Sequence, residues 1–189
     1  MSAGLHADAV EVLSGWVATS TEADLNRKRA LELLGDGPVA MTREHRVGHV
    51  TASALVVGVD GRVLLCLHGR LGLWMQLGGH CEPGDATLAA AALREATEES
   101  GLPGLRLDPD PIDVHLHPVR CKPADGQPAS DTWHFDVRFV AFAPAGAREQ
   151  VSDESEALGW FAPDALPEPL ADGVVSQLAP ARDRLSRQM

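Results

Sequence analysis

Arg94, Glu95, Glu98 and Glu99 have the types and spacing that chemistry on phosphates asks for. At about 100° per residue, the three glutamates of a helix here fall within one narrow arc of its surface. On a bare helix each pair repels by roughly 0.2–0.5 kcal/mol. A divalent cation relieves that repulsion, and oxygen ligands suit Mg²⁺ or Mn²⁺, which keep waters and bind phosphate oxygens. The ordinary alternative is a solvated acidic face. Against it stand a glycine-rich turn at residues 78–84, an alanine-rich helix over about 86–100, and a single Arg among the carboxylates. Ala89, Leu93 and Ala96 would face a core.

Residues 78–102, GGHCEPGDATLAAAALREATEESGL, resemble the Nudix box, G-x5-E-x7-R-E-U-x-E-E-x-G-U with U aliphatic. Gly79, Asp85, Arg94, Glu95, Ala96, Glu98, Glu99, Gly101 and Leu102 stand at the matching positions. Two departures occur: Asp85 replaces the first Glu, and eight residues rather than seven separate it from Arg94. The extra residue would lengthen the turn before the helix, where Asp85 could be an N-cap. The resemblance implies a mixed sheet between helices, an α/β/α sandwich. It also implies hydrolysis of a phosphoanhydride bond in a nucleoside diphosphate linked to another moiety, such as an ADP-ribose-like compound, a nucleotide sugar or an NTP.

On that resemblance Glu95, Glu98, Glu99 and the Gly79 carbonyl would hold Mg²⁺ or Mn²⁺. Arg94 would position the carboxylates, and Glu98 or Glu99 could act as general base. Glu154, in an acidic loop before the last strand, is a further candidate for ligand or base. Two other readings of the box remain: a non-catalytic nucleotide-binding or sensor domain, and an isopentenyl-diphosphate isomerase-like enzyme. The first typically degrades the box, whereas REATEESG is whole. The second wants a reactive Cys opposed to a Glu, for which Cys66 and Cys81 are the candidates.

The elements that must position these residues can be read from periodicity. Residues 1–46 form a helical extension: Leu5, Ala9, Val12, Leu13, Trp16 and Val17 recur at helical spacing. Thr19-Ser20-Thr21-Glu22 offers a capping-box start to a second helix running to about Leu34, stopped by Gly35-Asp36-Gly37-Pro38. These helices could pack on the main domain, form a homodimer contact, or cover the substrate entrance. The main domain covers 47–168, with strands at about 50–59, 62–67, 73–77, 105–107, 112–117, 133–142 and 157–161. Residues 122–131 read as a polar loop. The segment 169–189 carries a C-terminal helix at about 174–185. Strands with helices interposed give the α/β class independently of the box.

Formal net charge is −11, with Lys28 and Lys122 as the two lysines, which argues against a general nucleic-acid or anionic-membrane partner. The expected partner is a small-molecule nucleoside-diphosphate substrate, with Arg rather than Lys clamping phosphate. Three cysteines outside any CxxC pair read as reduced thiols in a cytoplasmic protein. His80, Arg70, His134 and Trp74 are the candidate substrate contacts, though His80 could stabilise a turn and Trp74 could be core. His115 and His117 share a strand face, as do His134 and Asp136. If those strands are neighbours they line a polar surface. These side chains could hydrogen-bond substrate or merely solvent; a zinc reading is also open, although the spacing matches no compact metal motif. Pro118, sixteen positions past Leu102, matches a proline in some ADP-ribose pyrophosphatases. The SQPWPFP stretch of NADH-cleaving members and the tyrosine of many dinucleoside-polyphosphate members are absent.

Overall fold

A strand buried at every position, His49–Val57, forms the centre of the sheet. The computed structural model describes residues 3–123, 126–150 and 155–188. In chain order its elements are α1 (Ala3–Gly15), α2 (Thr21–Leu34), a 3-10 turn (Pro38–Met41), β1 (His49–Val57) and β2 (Val63–His68). There follow β3 (Leu73–Met75), β4 (Leu77–His80), α3 (Leu88–Ser100), β5 (Arg106–Leu107) and β6 (Asp113–Cys121). The chain closes with β7 (Ser130–Phe142), β8 (Ser155–Phe161) and α4 (Val174–Ser186). The α/β class with a mixed sheet between helices is the one expected.

On one edge β1 pairs in parallel with β7, from His49 opposite His134 to Val57 opposite Phe142. Its other edge is shared. Near its end β1 meets β2 antiparallel, at Val56 and Val57, and near its start it meets β4, with Thr51 opposite His80 and Ala54 opposite Leu77. β6 completes a hairpin on β7, and β8 adds to β2.

Because side chains alternate along a strand, β1 and β7 each send one set to either face. Val50, Ala52, Ala54, Val137 and Phe139 pack with Ala91, Ala92 and Ala96 of α3. On the opposite face Leu55, Val57, Val140 and Phe142 pack under Val174 and Ala181 of α4. Toward the start of the strands that second face turns polar: His49, Thr51 and Ser53 on β1, His134, Asp136 and Arg138 on β7.

The helical extension belongs to the first core. Leu5, Ala9, Leu13, Ala30, Leu33 and Leu34 are buried in the same cluster as the sheet and α3. The Asp8 carboxylate accepts from the Leu88 backbone N–H at 2.8 Å, a negative group on an α3 N-terminal donor. Ser20, not Thr19, caps α2 by accepting from Ala23 N–H, so Glu22 falls one position short of completing the expected box. Packing is therefore the role these contacts support. Leu13→Ala is expected to lower stability by about 2–5 kcal/mol while leaving kcat near wild type. Urea unfolding beside steady-state rates checks this, and a lost kcat at retained stability would contradict it.

Candidate active site

The glycine-rich segment is a strand rather than the expected turn. Gly78 and Gly79 lie in β4 beside β1, and the turn comes after His80. Gly78 has φ 156, and a Cβ there would collide with Cα and Cβ of Ser53 on β1. Overpacking against backbone together with strain makes Gly78→Ala cost about 2–6 kcal/mol. A thermal midpoint within a degree of wild type would refute this close approach. A Cβ at Gly79 would lie 2.7 Å from Glu95 Oε1, so the bare backbone of Gly79 faces the α3 carboxylates.

α3 starts two residues later than expected. Thr87 is its N-cap, accepting from Ala90 N–H at 3.0 Å, and Gly101, at φ 65, ends it with an N–H bond to Thr97. Leu88, Ala91, Ala92, Ala96 and Ser100 are buried, and the expected core residues Ala89 and Leu93 pack against the same core half-buried. Glu95 is turned inward, at 14% side-chain exposure, whereas Glu98 is 61% exposed. Glu99 Oε2 accepts from Gly78 N–H at 2.9 Å.

Asp85 is not a helix cap. It is 6% exposed, accepts from Glu82 N–H at 2.7 Å, and takes two bonds from Arg94, at 3.0 and 3.1 Å. The longer spacing is thus absorbed by the turn, and the acid still meets the arginine. Arg94 Nη2 also donates to the His80 carbonyl at 2.9 Å, and Nη1 donates to Glu95 Oε1 at 3.1 Å and Glu98 Oε2 at 3.0 Å. A guanidinium has five N–H donors, and these five bonds use all of them. Hydrogen bonding to Asp85 holds the Arg94 pKa above its usual range.

A model of the NUDIX domain matches residues 47–181. The chain belongs to the Nudix family. A MutT-like protein of Streptomyces ambofaciens is 28% identical over 134 residues, 71% of this chain and 77% of that one. Three solved structures share the fold. A NUDIX-family hydrolase of Clostridium perfringens is 23% identical at TM-score 0.52, covering 75% of this chain and 98% of that one. A C. elegans Ap4A hydrolase in a binary complex has TM-score 0.56 at 20% identity, covering 73% and 98%. The NUDIX domain of Shewanella oneidensis NrtR, complexed with ADP ribose, has TM-score 0.51 at 22% identity, covering 74% and 88%. The Nudix match leaves α1 and α2 outside it.

The remaining candidates divide. His80 and His134 come together, ring centroids 4.9 Å apart, on the sheet face opposite Gly79 and Glu95. Trp74 instead packs edge-on to Phe161 at 5.0 Å in the second core, so packing accounts for it. Arg70 is exposed in the turn between β2 and β3, close enough for its charge to act on His80 and Cys121. Glu154 lies outside the described residues, and Glu156 is exposed on β8. All three cysteines are buried and lie outside any disulfide. Burial, aided by the Asp85 carboxylate, pushes the Cys81 thiol up to about 12. It therefore stays protonated at neutral pH and makes a poor nucleophile for an isomerase.

The polar face contains residues that sequence reasoning missed. β6 and β7 are neighbours, with His117 opposite His134 and His115 opposite Asp136. His49, at the head of β1, is fully buried against His80 and His134. Burial, helped by the Arg43 charge, lowers His49 to about 4 and His80 to about 3. Burial and the neighbouring His80 lower His134 to about 2. All three imidazoles are neutral at pH 7. Deeper in the same face, Asp136 accepts from Ser53 at 2.8 Å and Arg138 at 2.9 Å. Burial, the largest single effect, would raise the Asp136 carboxyl, but the Arg138 charge, the neighbouring His117 and the hydrogen bonds from Arg138 and Ser53 together hold it below the usual range. With Arg138 only 2% exposed and bonded to the Gly173 carbonyl at 2.9 Å, this network fastens α4 to the sheet.

Proposed function

We propose that this Nudix chain hydrolyses a phosphoanhydride bond in a nucleoside diphosphate linked to a second group, with Mg²⁺ or Mn²⁺ as cofactor. The observation that carries the reading is the five-bond clasp of Arg94. It ties the turn at Asp85 and the strand at His80 to Glu95 and Glu98, beside the bare backbone of Gly79.

The donors suit such an ion. They are carboxylate and carbonyl oxygens, which hard cations prefer, and Glu95 occupies the space that a side chain at Gly79 would fill. Glu95, Glu98, Glu99 and the Gly79 carbonyl would hold it. When bound, a divalent ion polarises phosphate oxygens and lowers the pKa of an attacking water. Arg94 fixes the direction of Glu95 and Glu98 through a single nitrogen, Nη1. Glu98, the most exposed of the three, is the preferred general base; Glu99 is anchored to Gly78.

The relatives named for a nucleotide differ, one for Ap4A and one for ADP ribose. Substrate choice is therefore put to a panel of ADP-ribose, nucleotide sugars, dinucleoside polyphosphates, CDP-alcohols and dNTPs, assayed for phosphate release with a coupled phosphatase. Turnover of one class that requires Mg²⁺ or Mn²⁺ is expected. Silence across the panel, with nucleotide-induced thermal shifts retained, would replace hydrolysis with nucleotide binding.

A further inference from the structure

We propose that His49, His80, His134 and Cys121 form a second metal site, distinct from the glutamate site, that binds one Zn²⁺. One ligand atom from each of these four residues lies within 4.8 Å of the other three. Among the described residues these four side chains already converge on one point. Three imidazole nitrogens and a thiolate are the ligand types of structural zinc, with bonds of about 2.0–2.1 Å to N and 2.3 Å to S. In a tetrahedron those bonds separate the donors by about 3.3–3.6 Å. Cys121 Sγ and His80 Nε2 are already 3.4 Å apart, and side-chain rotations would draw in the rest.

The second observation is a set of orphaned donors. His49 is fully buried, yet neither of its ring nitrogens has a hydrogen-bond partner, and His134 Nε2 has none either. The His45 backbone approaches the His49 ring without the geometry of a hydrogen bond. Buried unpaired polar atoms are costly and native folds rarely keep them. Zinc bound at this point would take one nitrogen from each ring.

The supporting backbone is rigid. The ligands come from four strands of one sheet: His49 opens β1, His80 ends β4, Cys121 ends β6, and His134 lies in β7 directly opposite His49. Binding would release the Cys121 thiol proton. Four protein ligands leave no open position, the mark of a structural site. Such a site would fasten the end of the edge strand β6 to the centre of the sheet. It would also hold His80, whose carbonyl bonds Arg94, so the ion would brace the strand behind the Nudix carboxylates. The proposal does not depend on hydrolysis.

The test uses the full chain, stripped with chelator and titrated with Zn²⁺ against a chromophoric competitor, then with Co²⁺ as a spectroscopic stand-in. One equivalent should bind, and Co²⁺ should show tetrahedral d–d bands with a thiolate-to-metal charge-transfer band. Cys121→Ser should remove the charge-transfer band. His49→Ala should weaken binding more than about 100-fold, beyond the 10–100-fold cost of losing an outer-shell partner. Glu98→Gln should change neither. The absence of stoichiometric binding and of a tetrahedral spectrum would overturn the proposal, as would a spectrum that survives both ligand substitutions. Loss of the ion in Glu98→Gln but not in Cys121→Ser would move it to the Nudix carboxylates. Should a ligand variant fail to fold, the charge-transfer band of the wild-type chain decides by itself.

Discussion

Glu98→Gln should lower kcat by about 10²–10⁴-fold, the range for removing a positioned acid or base, while unfolding at nearly the wild-type temperature. The separation follows from where Glu98 sits. Its side chain is 61% exposed and its bond is to Arg94 Nη1, one turn back on the same helix. An exposed i, i+4 pair contributes only about 0.2–0.5 kcal/mol, and the amide keeps an oxygen that can still accept. What the substitution removes is the negative charge, which a ligand to Mg²⁺ or a base needs and the fold does not. Steady-state kinetics with saturating metal, beside a thermal melt, measure both quantities. Retained activity would exclude Glu98 from ligand and base roles alike. A collapse of both would mean that the helix depends on this carboxylate for its structure.

The helix carrying that residue was legible from the sequence because its signals are local. REATEESG sets the carboxylates on one arc, and alternation from Trp133 to Phe139 separates the two faces of β7. What escaped notice depends on pairings distant in sequence. His49 gains meaning only when β1 lies parallel to β7, which sets it opposite His134. Cys121 was hidden because the strand holding it was expected to end at His117, before Pro118. β6 pairs with β7 alone among the strands, and an edge strand tolerates a proline whose missing N–H would face outward. Asp85 was read as a cap because the contact that defines it, with Arg94, spans a turn of uncertain length. That Leu88, Ala91 and Ala92 are more fully covered than Ala89 and Leu93 was likewise hidden, since an alanine-rich helix has apolar residues on several faces and only the sheet decides which are covered.

Arg94→Lys tests that clasp as a mechanical part. The guanidinium uses five donors on four residues, whereas an ammonium offers three from one point. Lysine could stay near Asp85 and keep its charge compensated, but it could not also reach the His80 carbonyl, Glu95 and Glu98. The carboxylates would then lose their common anchor and shift relative to Gly79. A misplacement of about 1 Å can cost about 100-fold in rate, so kcat should fall by about that factor with KM little changed. Arg94→Ala goes further, leaving Asp85, 6% exposed, without its cation. Removing one partner of a buried pair costs about 3–5 kcal/mol. Because Arg94 retains 20% exposure, the low end of that range, about 3 kcal/mol, is expected. A double change, Asp85→Asn with Arg94→Ala, should recover part of the stability and none of the activity, since it removes the unpaired charge but not the need to position Glu95. Recovery of kcat in the double variant would mean that the clasp serves the fold alone.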